Sequence, residues 1–179
     1  MFATHSLNLV LVGRASDVPD LDGRVRTGDE HDQDKQAIFR SIQARSSAPI
    51  WLVGTSMGTI SATAAAVRDG GHLVAGLVLT SSITSYRVPG AVPSQDLETI
   101  RVPVLVLHHE RDACKSCTPW EAKKIAGKLI NAPIKKPVLV NGGADPTGEI
   151  CGATHHHGYL GMEKEAVDLI AAWILNPVN

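Results

Sequence analysis

The sequence predicts an α/β domain, a parallel sheet of about five strands in a three-layer arrangement with no large cap. Two observations carry this. Five short apolar runs, at residues 7–12, 49–53, 75–80, 102–109 and 136–140, alternate with stretches of helical spacing. The runs are continuously apolar where a half-exposed strand would alternate, the mark of parallel strands covered on both faces. Composition agrees: of 179 residues 44% are hydrophobic but only 4% aromatic, and small aliphatic side chains let helices lie close on a sheet. A single domain spanning 1–179 is long enough to bury one core.

Each element has a local justification. Leu7 to Val12 reads as the first strand, ending at Gly13. Thr27 and Glu30 have the spacing of a capping box, and Asp29, Glu30 and Asp32 put negative charge at the positive end of the helix that follows, which should end near Ser46. The second strand breaks at Gly54, and an alanine-rich helix from 58 to about 68 closes at Asp69-Gly70-Gly71. After the third strand, residues 81–100 hold Pro89, Gly90 and Pro93 with little periodicity, a long stretch of the kind that lines sites. The fourth strand delivers Glu110, Arg111 and Asp112 at its end. Thr118, Pro119 and Glu121 start a helix whose inner stripe is Ala122, Ile125, Ala126, Leu129 and Ile130. The fifth strand precedes a glycine-rich loop at 141–152, the run His155-His156-His157, and a closing amphipathic helix at about 163–175.

Composition also excludes partners. A net charge of −1 makes no electrostatic case for nucleic acid or an anionic membrane. No apolar run approaches the roughly 20 residues of a membrane span. Residues 1–12 lack the basic start and small-residue cleavage site of a secretory signal, which implies a cytoplasmic protein or a chain that begins after its signal.

Ligands of parallel sheets bind at the carboxyl ends of the strands. There the sequence places Ser56 after the second strand, Asp112 after the fourth and His157 after the fifth. Ser56 stands in Gly54-Thr55-Ser56-Met57-Gly58, the nucleophile-elbow pattern, in which flanking glycines relieve a tight strand-to-helix turn. Serine is a poor nucleophile until an imidazole takes its proton, and the imidazole needs a carboxylate to hold its tautomer. Through Gly54–Gly58, the run 102–112 and His157-Gly158-Tyr159 ahead of the last helix, nearly the whole chain resembles the α/β hydrolases. The resemblance implies Ser56 as nucleophile, His157 as acid and base, Asp112 as its orienting partner, and the Met57 N–H as an oxyanion donor. It implies a small carboxylic ester as substrate and no cofactor or metal. Other residue types compete at each place: His155 and His156 for the base, Glu110 and Asp145 for the acid. Ser56 itself has a phosphate-site alternative. His108 and His109 end a strand and read as packed or hydrogen-bonded residues, not catalytic ones.

The resemblance departs at the N-terminus, where the family's first three strands and a helix have no counterpart. Leu7 to Val12 resembles the family's fourth strand and is expected directly beside the elbow strand, in a sheet of sequential order. The second oxyanion donor must then come from residues 13–16, Arg14 among them, or from a partner chain. Sequential right-handed crossovers put their helices on one face, so the other face, covered chiefly by the closing helix, is expected to be bare enough to drive homo-oligomerisation. A weakened hydrolase scaffold acting through binding is the second functional reading. With only residues 81–100 available as a lid, the site should be open and shallow. Cys114, Cys117 and Cys151 allow a Cys114–Cys151 disulfide tying two active-site loops in an oxidising compartment, reduced buried thiols, or a zinc site with His155.

Overall fold

The computed structural model describes residues 1–179. Its sheet has four parallel strands, β1 (Ile50–Thr55), β2 (Val74–Thr80), β3 (Val104–His109) and β4 (Lys135–Val140), in the spatial order 1-2-3-4. The fifth strand expected at Leu7 to Val12 does not form: the segment has no regular structure, and Leu11 is 92% exposed. A strand outside β1 would need apolar cover on both faces. Leu7 to Val12 makes no ladder with β1, which remains an edge of the sheet.

The helices are α1 (Gly23–Thr27), α2 (Asp29–Gln43), α3 (Met57–Asp69), α4 (Pro119–Lys128) and α5 (Glu163–Leu175). Thr27 does not cap a helix as its spacing suggested. Its hydroxyl donates back to the carbonyls of Gly23 and Arg24, both at 3.1 Å, which makes it the last residue of α1. Asp22 caps that short helix by accepting from the Arg24 and Val25 amides at 2.8 and 2.9 Å, and Gly28 is the turn from which α2 starts.

Strand alternation sorts the core into two layers. Leu77, Leu79, Val104 and Val106 face α3 and α4, packing on Ala62, Ala66, Ala122, Ile125 and Leu129. Val78, Leu105 and Leu107 face α5, through Ala166, Ile170 and Trp173. The three-layer arrangement therefore stands with one strand fewer than expected. The α5 face is also less bare than the strand order alone suggests. Trp51 of β1 meets Trp173 edge to face, with ring centroids 5.6 Å apart, and lies on Gly76, where a Cβ would fall 2.1 Å from the indole. The helix is thereby locked as far as the edge strand, and Val53, 43% exposed, marks where its cover ends.

Residues 81–100 are not a loose lid. Two 3₁₀ turns (Val92–Ser94 and Leu97–Thr99) fold them down, burying Ile83, Ala91, Val92, Leu97 and Ile100 in the core. The beginning of the stretch, residues 81–85, stays at the strand ends, where Thr84 and Ser85 donate to the Ser116 carbonyl and Ile83 packs on Cys114 and Cys117. In α4 the inner stripe is buried as expected through Leu129, while Ile130 lies 63% exposed just beyond the helix.

Asp69, at the end of α3, accepts from the Leu73 amide and, at 3.0 Å, from the Val74 amide, and is only 4% exposed. It orients the turn that aims β2 into the sheet. Replacing it by alanine leaves these donors without their partner, and Asp69→Ala should cost about 1–3 kcal/mol of stability, read from the urea midpoint at unchanged slope.

Candidate active site

Ser56 joins β1 to α3 at φ 51° and ψ −123°, a conformation that costs an L-residue on the order of 1–3 kcal/mol. The turn is held from both sides. The Ser56 amide donates to the Thr80 carbonyl at 3.1 Å, and a Cβ on Gly54 would fall 2.6 Å from the Gly58 carbonyl oxygen and 2.9 Å from the Ala62 Cβ. Gly54 must therefore be glycine. A Cβ at Gly58 would meet nothing within 4 Å, so packing requires only the first of the two flanking glycines. Met57 is the first residue of α3, where a backbone N–H has no partner within its own helix and is free to face an oxyanion.

Asp112 follows β3 in a turn and is 7% exposed. Its Oδ2 accepts from His157 Nδ1 and from His108 Nε2, both at 2.9 Å, and its Oδ1 accepts from the Cys114 amide at 2.9 Å. Burial pushes the carboxyl up, but the bonds from His108, His157 and Cys114 outweigh it and leave its pKa lowered to about 2. His157 is itself fixed by its backbone, whose carbonyl accepts from the Ser81 hydroxyl at 2.7 Å. With Nδ1 committed to Asp112, the other ring nitrogen, Nε2, is buried without a partner. Ser56 Oγ makes no hydrogen bond to it.

Among the competing residues, only His157 of the three consecutive histidines reaches a carboxylate. His156 stacks on His109, with centroids 4.5 Å apart. Glu110 and Asp145 are exposed and bond no histidine. Arg14 is not brought to the elbow: its guanidinium donates to the carbonyls of Val18 and Pro19 within its own loop, beside a depression of about 410 Å³ against α2. The structure joins Asp112 to His157 directly and sets Ser56 and Met57 beside Cys117 of the following turn, while Arg14 is kept in its own loop.

Cys114 and Cys151 form a disulfide. It links the turn carrying Asp112 to the loop leading to His157, and it consumes two of the donors that a zinc site would need. Cys117 is free and fully buried. Its thiol is pushed up to about 12 by burial and by the Asp112 charge, with the neighbouring Ser56 hydroxyl drawing it back slightly, so it stays protonated and unreactive at neutral pH. Ser81 and His108 are not legible in the sequence as site residues, and Cys117 is legible only as a thiol or zinc-ligand candidate. The only sequence signal was position: His108 four residues before Asp112, and Cys117 five after it.

The sequence matches no protein-family profile and no curated protein. Solved structures are nonetheless similar in shape. An α/β serine hydrolase homologue from Coxiella burnetii is 19% identical, with a TM-score of 0.56 over 89% of this chain and 61% of its own. A protein of unknown function from Agrobacterium tumefaciens, assigned to the α/β hydrolases, is 16% identical, with a TM-score of 0.61 over 94% of this chain and 68% of its own. The fold is that of the α/β hydrolases. The esterase domain of a Rhodothermus marinus protein, 15% identical, gives the same result, with a TM-score of 0.54 over 82% of this chain and 68% of that one. The four-stranded α/β-hydrolase sheet seen here spans only part of the length of these structures.

Two measurements probe how the site is held. Because the Asp112 pKa falls from 3.8 to about 2 on folding, its contribution is complete above pH 4 and is lost as pH drops towards 2. Acid titration over that window should cost about 2 kcal/mol, and Asp112→Asn should flatten that part of the stability curve. The disulfide closes a loop with a sequence separation of 37. Cys151→Ser should lower stability by roughly 4 kcal/mol in denaturant melts.

Proposed function

We propose that the protein is a serine hydrolase that cleaves small carboxylic esters through an acyl-enzyme on Ser56. The observation that carries the reading is the His157–Asp112 hydrogen bond, at the same carboxyl edge of the sheet as the strained elbow of Ser56. Ser56 Oγ attacks the acyl carbonyl while His157 Nε2 takes its proton. Asp112 holds Nδ1 protonated and stabilises the imidazolium as it forms. His157 then returns the proton to the leaving alkoxide, and water attacks the acyl-serine by the same route in reverse. The Met57 N–H bears on the developing oxyanion, an interaction worth on the order of 3 kcal/mol. The site takes short esters because residues 81–100, the segment that would make a cap, are folded into the core.

A second reading is a hydrolase scaffold that works by binding or self-association. It is favoured by the apolar run Leu9 to Val12, whose four side chains are between 45% and 92% exposed. This reading predicts no labelling of Ser56 by a fluorophosphonate, and labelling removes it; a monomer in sedimentation removes its self-association form.

Hydrolysis of p-nitrophenyl acetate decides the first reading. Ser56→Ala should lower kcat by about 10³-fold or more at unchanged folding, and equal rates in wild type and variant would sink it.

A further inference from the structure

We propose that His108 is a positioning residue of this site, one that fixes Asp112 and tempers the charge Asp112 presents to His157. The inference deepens the hydrolase reading and rests on it. His108 is fully buried at the end of β3, on the α3 and α4 side of the sheet. Its Nε2 lies 2.9 Å from Asp112 Oδ2 and 2.8 Å from the Cys117 carbonyl oxygen. Both are acceptors, so Nε2 carries the hydrogen and divides it between them. Nδ1 is buried with no partner; a proton there would be an orphaned donor, and the tautomer with Nε2–H and a bare Nδ1 avoids that cost.

One carboxylate oxygen therefore receives two imidazole N–H groups. A donor on Oδ2 draws charge from it, so less remains to stabilise the His157 imidazolium. Without that donor Asp112 would hold the imidazolium more tightly, in competition with uptake of the Ser56 proton. The same bifurcated bond ties Asp112 to the turn at Cys117, preventing the acid from rotating away from His157. His109 on β3, Cys117 ahead of α4, and His156 and Tyr159 in the final loop also surround Asp112. None of them hydrogen-bonds to its carboxylate, which accepts only from His108, His157 and the Cys114 amide.

The test is the pH dependence of kcat/KM for p-nitrophenyl acetate, after labelling of Ser56 by a fluorophosphonate has established that wild type is a serine hydrolase. His108→Phe keeps the ring and removes the donor. Its acidic limb should move up by about one pH unit, a loss of about tenfold in kcat/KM at any pH on that limb. His108→Gln, which returns an N–H near the Nε2 position, should restore the wild-type limb. An acidic limb that His108→Phe leaves in place, whatever the change in plateau, overturns the role given to His108. A proton spectrum of wild type keeps the inference testable if the phenylalanine variant does not fold. It should show two downfield imidazole N–H resonances, one of which His108→Gln removes, and a single resonance in wild type overturns the inference. Absence of labelling at Ser56 sinks the hydrolase reading itself, whereas labelling with an unmoved limb sinks only the role of His108.

Discussion

A carboxylate taken out of water must find donors or lose its charge, and most of the site geometry follows from how Asp112 meets that demand. Its three donors come from three places in the chain: the end of β3, the turn into α4 and the loop before α5. Each segment is thereby fixed to the other two. The disulfide adds a covalent tie between the second and third, and the Ser81 hydroxyl anchors the third to the end of β2. The carboxylate is thus a structural joint as well as the partner of His157.

The elbow is held by different means. Ser56 has a backbone that a free peptide would leave, and it stays because β1 pairs with β2 up to Thr55 while α3 begins at Met57. Gly54 permits the helix to approach the strand closely. Strain at Ser56 is therefore supported by the sheet and by α3, and the imidazole is supported by Asp112. Both are tied to the end of β2, Ser56 through the Thr80 carbonyl and His157 through the Ser81 hydroxyl.

Several sequence expectations failed for one common reason. Leu7 to Val12 has the composition of a buried strand, yet a strand also needs a hydrogen-bonded neighbour and cover on each face, and composition reports neither. Thr27 has the spacing of a cap, but its hydroxyl turned to the carbonyls behind it because Asp22 had already started a shorter helix. The stretch 81–100 lacks periodicity because its buried residues are set by 3₁₀ turns, which produce no helical or strand repeat. Gly58 belongs to the elbow pattern while nothing in the structure presses on it.

The sequence alone determined the four parallel strands at 49–53, 75–80, 102–109 and 136–140, the helices between them, and the order in which a serine, an acid and a histidine arrive at the strand ends. These follow from hydrophobic pattern, which is local and is written every few residues. Tertiary structure decided which of three adjacent histidines meets Asp112, that His108 shares its oxygen, that Cys114 pairs with Cys151, and that Arg14 stays away from Ser56. Two of those contacts join residues far apart in sequence, 45 positions for His157 and Asp112 and 37 for the cysteines, and even the local ones of His108 and Arg14 depend on how the chain turns. Side-chain direction and loop path set them, and a run of residue types encodes neither.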